Sequence, residues 1–80
     1  MEVEKRFLEI VIDIFRIDPK TLTDETKFID DLHAKSIDTI ALIAATESTF
    51  GIRVPSQDAR KNQTIGQAIK YIKKKLSEKA

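Results

Sequence analysis

Eighty residues, 41% apolar and 34% charged, are enough for one small domain and too evenly mixed for a disordered chain. The absence of cysteine excludes disulfides and thiolate metal sites, and no apolar run approaches the roughly 18 residues that a membrane span needs. The net charge of +1 conceals a split: residues 1–50 hold 11 acids and 6 bases (−5), residues 51–80 hold 2 acids and 8 bases (+6), an asymmetry that steers encounters without naming a partner.

Val3 to Arg16 reads as a helix, with Val3, Phe7, Ile10 and Ile14 recurring at i, i+4, i+7 and i+11 and Leu8, Val11 and Phe15 widening the stripe. Glu2 and Glu4 sit in its first turn, where acids complement the helix dipole. Asp18-Pro19 stops it, because the residue before a proline is pushed out of the α region. Ile17 to Lys35 is then a long connection. Thr21, Thr23, Asp24 and Thr26 supply turn chemistry, and Leu22, Phe28, Ile29 and Leu32 are spaced apolar anchors. Four anchors point to a loop packed down by its own side chains, with Phe28 and Leu32 on one short helical turn.

Ser36 to Phe50 is the second helix, with Ile37, Ile40, Ile43 or Ala44, and Phe50 inward and Leu42 beside them. Gly51 follows where left-handed backbone favours glycine. Ile52, Val54 and Pro55 lead to a short helix, Ser56–Lys61, which Ser56 is placed to cap. Thr64 starts the last helix, with Ile65, Ala68, Ile69, Ile72 and Leu76 inward and Lys70, Lys73, Lys74 and Lys75 outward. No alternating run exceeds Ile52-Arg53-Val54, so the expected fold is all-α: a small bundle of three main helices plus one short helix, with a long loop between the first two. A single domain spans 1–80.

A hydroxyl at the start of the second helix makes Ser36 the residue of most interest. It stands at the positive helix end beside free backbone N–H groups, where a phosphate is favoured. By position alone it is more often an ordinary cap. Asp30, His33 and Ser36, spaced by three, invite a nucleophilic triad, but such groups normally converge from distant parts of a fold and no G-x-S-x-G turn is present. No catalytic residue is assigned. One histidine with Asp30-Asp31 falls short of a zinc or calcium ligand set, so no metal is expected. Only Tyr71 interleaves the lysines of the last helix, and cations suit a helix C-terminus anyway. A solvated face is therefore expected, with no nucleic-acid or membrane contact.

The stretch Phe28-Ile29-Asp30-Asp31-Leu32-His33-Ala34-Lys35-Ser36-Ile37-Asp38-Thr39-Ile40 resembles the attachment segment of the acyl carrier protein family, whose pattern runs apolar-acidic-acidic-Leu-Gly-(Ala/Leu)-Asp-Ser-Leu. The likeness extends without gaps through Thr26-Lys27-Phe28, Glu47, Phe50, Ile52-Arg53-Val54-Pro55 and Thr64 to Ile72. It implies a four-helix bundle in which Ser36 is esterified by 4′-phosphopantetheine from coenzyme A. The thiol of that arm carries acyl groups as thioesters in fatty-acid, polyketide or related lipid synthesis. The implied chain is a non-catalytic, cytoplasmic monomer. Its partners are a phosphopantetheinyl transferase and the acyl-loading, elongating or acyl-transfer enzymes of a dedicated pathway. The resemblance places partner recognition on Lys35, Ile37, Asp38, Ala41, Glu47 and Arg53. It lines an acyl pocket with Phe28, Ile29, Thr39, Ile40 and Thr46, and with Ile52, Ala59, Asn62 and Ala68. Other readings are an unmodified helical subunit of a larger complex, and a carrier of aminoacyl or peptidyl groups.

The departures are informative. Lys35 replaces the acid that commonly precedes the serine, and His33 replaces a glycine. Asp38 and Glu47 are the only acids of a helix that is usually strongly acidic. Enzymes that hold carriers through basic patches are expected to bind this one weakly. Thr46 and Asn62 stand where the family often places large aliphatics, a polar pair that narrows or wets the pocket.

Overall fold

The computed structural model describes residues 2–79. Its helices are α1 (Val3–Phe15), α2 (Ser36–Phe50), α3 (Ser56–Lys61) and α4 (Ile65–Lys79), with a 3-10 turn at Pro19–Thr21. The all-α expectation holds, three main helices and one short one, and the long connection lies between α1 and α2.

α1 buries Val3, Phe7 and Val11 at i, i+4 and i+8, so Val11, not Ile10, carries the centre of the stripe, and Ile10 and Ile14 flank it half-buried. α1 packs on α2 and on α4. It ends at Arg16, earlier than the proline: Arg16 takes a left-handed conformation (φ 54°) and donates its N–H to Ile12 O at 2.7 Å. Asp18 and Pro19 therefore start a new turn, in which the Asp18 carboxylate accepts from Lys20 N–H at 2.9 Å. Glu2 occupies the cap position, leaving Glu4 as the acid of the first turn, ion-paired with Lys73 at 2.8 Å.

The face that α2 buries differs from the expected one. Thr46 and Phe50 are buried and Leu42 and Ile43 half-buried, whereas Ile37 and Ile40 are 72% and 66% exposed and Ala44 is exposed too. α2 is apolar nearly all round from Ile40 to Ala45, so hydrophobicity alone cannot select its inner side. At 100° per residue the Leu42–Thr46–Phe50 row lies opposite Ile37 and Ile40, and that row contains the phenylalanine that reaches the core. Gly51 closes the helix at φ 65° with its N–H on Glu47 O at 2.8 Å, as glycine permits.

The long connection is stitched to the start of α4 by main-chain hydrogen bonds. Phe28 N–H donates to Gln63 O (3.1 Å), Ile65 N–H to Thr26 O (3.0 Å) and Gly66 N–H to Asp24 O (2.9 Å). Phe28 is buried and meets Phe7 edge-on, ring centroids 6.3 Å apart. It begins a turn closed by Asp31 N–H and Leu32 N–H on Lys27 O and by His33 N–H on Ile29 O. Phe28 and Leu32 share its inner side, as expected. Ile29, one step round, points outward and is 71% exposed, so it anchors nothing.

α4 begins with a reciprocal cap: Thr64 Oγ1 accepts from Gln67 N–H (3.2 Å), and Gln67 Oε1 accepts from Gln63 and Thr64 N–H. Ile65, Ala68, Ile69 and Ile72 are buried with Leu76 half-buried, the predicted stripe. Lys75 departs from the outward row, lying half-buried with its ammonium 5.7 Å above the Tyr71 ring. At α3 the cap position belongs to Pro55, and Ser56 is the first helical residue instead. Among the described residues no helix is long and apolar enough to cross a membrane.

Candidate functional site

Ser36 is exposed and is the first residue of α2, with Lys35 in the cap position. The helix start is satisfied without its hydroxyl, since the Asp38 carboxylate accepts from Lys35 N–H at 2.9 Å. Ser36 therefore presents a hydroxyl to solvent at the positive end of a 15-residue helix. The chain reaches it through His33, whose backbone is left-handed at φ 56°, a conformation that costs a residue with a Cβ but not glycine.

Beside Ser36 opens a cleft of about 630 Å³ between α2, α3 and the stitched loop. Phe7, Phe28, Thr46, Ala68 and Ile72 form its buried lining. Ser36, Lys35, Ile29, Thr39 and Ile40 are exposed lining residues, so one continuous space joins the serine to the core. Ala59 and Asn62 contribute from the other wall. Of the residues expected around an acyl chain, Ile52 alone is not brought to this space. It is buried in the core cluster with Phe50 and the inner face of α4. Asn62 faces the cleft with its amide engaged, Nδ2 donating to Asp58 O at 3.0 Å.

The residues expected to meet partners are scattered in role. Lys35, Ile37, Ala41 and Arg53 are exposed. Asp38 and Glu47 are half-buried and engaged within the chain, Glu47 Oε2 accepting from Val54 N–H at 2.8 Å and so clamping the segment that leads to α3. Asp30 pairs with Lys27 at 3.9 Å rather than orienting His33.

Lys27, Arg60, Gln63 and Tyr71 also line the cleft, and pattern reasoning did not reach them. Tyr71 had a usable signal, a polar-tipped ring on the inner flank of α4 between Ala68 and Ile72. Its hydroxyl donates to Asp58 Oδ2 at 2.5 Å, tying α4 to α3. Burial, reinforced by this bond to a carboxylate, pushes the phenol above its usual range.

Residues 5–72 match the family described as the phosphopantetheine attachment site. Over 75 residues, 94% of this chain and 95% of the relative, the sequence is 40% identical to an acyl carrier protein of Phenylobacterium zucineum (strain HLK1).

Proposed function

We propose, because this chain belongs to the acyl carrier protein family and carries that family's phosphopantetheine attachment domain, that the attachment point is the Ser36 hydroxyl. The observation that carries this is its placement: exposed, uncommitted to the helix cap, at the positive end of α2 and at the edge of a cleft that runs into the core. A phosphodiester at that oxygen gains about 0.3–1 kcal/mol from the helix end. When bound, the arm supplies a thiol that holds acyl groups as thioesters. In this reading the protein's own residues orient and shelter the arm, and the chemistry belongs to the enzymes it visits.

The cleft is proposed to shelter the acyl portion, with Phe28, Ala68 and Ile72 as its apolar surface and Thr46 and Asn62 as polar interruptions. That lining favours short or polar-substituted chains over long saturated ones, since a hydroxyl left facing methylenes is costly. The weakly acidic α2 supports service to a dedicated set of acyl-handling enzymes rather than general fatty-acid synthesis. A radius of gyration of 11.6 Å supports one self-contained domain, as about 12 Å is expected for this length. A cytoplasmic monomer is the setting that suits such a shuttle.

Intact mass after incubation with coenzyme A and a broad-specificity phosphopantetheinyl transferase tests the assignment. The wild-type chain should gain one arm and Ser36→Ala none. An unmodified wild-type chain, or an arm on Ser36→Ala, overturns it.

A further inference from the structure

The cleft beside Ser36 has sides of opposite character. Phe7, Phe28, Ala68 and Ile72 make one side apolar and buried. The side built by α3 and the residues just after it is polar: Ser56, Arg60, Asn62 and Gln63, with Ala59 among them. The charges lining the space are also unequal. Lys27, Lys35 and Arg60 are set against one carboxylate, Asp30, which is already engaged with Lys27 at 3.9 Å. The acid of α3, Asp58, is not part of this lining and accepts from the Tyr71 hydroxyl instead. Lys35 and Arg60 are exposed and form no ion pair among the described residues. Lys35 is the sequence neighbour of Ser36, so a phosphodiester on that hydroxyl brings an anion next to it. Arg60 enters the same space from a separate helix, and the chain supplies it with no such partner.

We propose, building on Ser36 as the attachment point and on the cleft as the shelter of the acyl portion, that the cargo is an acyl chain with a carboxylate at its far end. Its methylenes lie on the apolar side of the cleft, and its carboxylate is received by Arg60. A chain ending in a methyl group leaves the polar wall unused. A planar guanidinium offers parallel N–H donors that match a carboxylate in a bidentate pair, which an ammonium does not. Because Arg60 is exposed, neither charge has to be stripped of water, and the pair contributes selectivity more than strength. The wall is also cleared of repulsion, since Asp58 is held by Tyr71 outside the lining. A carboxylate held at Arg60 keeps the chain in the cleft and its thioester sheltered from water.

A permissive phosphopantetheinyl transferase supplied with adipoyl-coenzyme A or hexanoyl-coenzyme A installs arm and cargo together. The two chains differ only in ending with a carboxylate or a methyl group. Intact mass reports loading and tests the Ser36 assignment alone; the behaviour of the loaded protein tests the cargo alone. In isotope-labelled protein the Arg60 Nε–H resonance should shift in the adipoyl carrier relative to the hexanoyl carrier. Arg60→Gln, an exposed substitution whose helicity circular dichroism checks, should speed hydrolysis of the adipoyl thioester about threefold, the scale of an exposed ion pair. It should leave the hexanoyl thioester unchanged. Raising salt from about 0.1 to about 1 M should erase the difference between wild type and variant. The same Nε–H position in both loaded forms would overturn the proposal, whether Arg60 then meets the arm's phosphodiester or only water. So would an adipoyl thioester that hydrolyses equally fast in wild type and Arg60→Gln, or an acceleration shared by both cargoes.

Discussion

Replacing Gly66 with alanine sets two physical effects against each other. Glycine inside a helix is unfavourable by about 0.5–1 kcal/mol relative to alanine, so helix propensity alone predicts a gain. The surroundings predict a loss. A Cβ at residue 66 would stand 3.0 Å from both the carbonyl oxygen and the Cβ of Asp24, and 3.4 Å from Asp24 Cα. These are main-chain atoms and their nearest side-chain carbon, not the far end of a flexible chain, so the strand of loop from Asp24 to Thr26 has to retreat. That strand accepts Gly66 N–H at 2.9 Å and Ile65 N–H at 3.0 Å. Two hydrogen bonds at about 1 kcal/mol each outweigh a gain of at most about 1, leaving Gly66→Ala less stable by about 1 kcal/mol. For a domain of this size that is a fall in Tm of about 4–8 °C. Thermal unfolding followed by circular dichroism measures it, and amide exchange should accelerate at residues 65 and 66. A variant as stable as the wild type, or more so, would refute the claim that the loop is held by this contact.

Tyr71 is the only tyrosine and no tryptophan is present, so its ionisation can be followed by ultraviolet absorbance without interference. The phenol should stay protonated well above 10, its ordinary value. Because the folded state raises this pKa, the stabilisation is complete below about 10 and is lost as pH climbs through the higher folded value. Tyr71→Phe should be destabilised near neutrality by about 1 kcal/mol, the lost bond to Asp58, with the gap closing under strongly alkaline conditions. His33→Gly should raise stability by about 0.5–1 kcal/mol in urea titration, since relief of the left-handed backbone exceeds the entropy cost of glycine. Thr46→Val combined with Asn62→Leu should protect a medium-length saturated thioester from hydrolysis, by about fourfold for each additional methylene sheltered. Equal hydrolysis rates in variant and wild type would mean that the acyl chain does not enter the cleft.

Legibility followed the physics of each element. α4 shows one apolar stripe against a lysine-rich flank, so its inner face could be read directly, and Gly51 announced the end of α2. α2 itself could not be oriented: a helix apolar from Ile40 to Ala45 has no preferred side until Phe50 finds the core. Arg16 gives no sign of ending α1, because left-handed backbone at arginine is imposed by the path of the downstream chain and not by its own preference. The stitching of the loop to α4 was hidden for a different reason. Its bonds run between peptide groups that every residue possesses, and their partners lie far apart in sequence. Within the site, Ser36 and eight of the nine residues expected around an acyl chain meet at the cleft, while Ile52 lies in the core, because a buried aliphatic in the core and one in a cleft wall share the same pattern. Glu47 reads as a surface acid, and its bond to Val54 depends on a turn that periodicity does not describe.

The junction of Asp24–Phe28 with Gln63–Gly66 ties together segments about 40 residues apart, and the whole of α2 and α3 lies inside the circuit it closes. The presenting geometry of Ser36 is therefore completed by residues that emerge from the ribosome well after it. A nascent chain that has just exposed its serine lacks this closure, and a chain cut short before Gly66 leaves the circuit open.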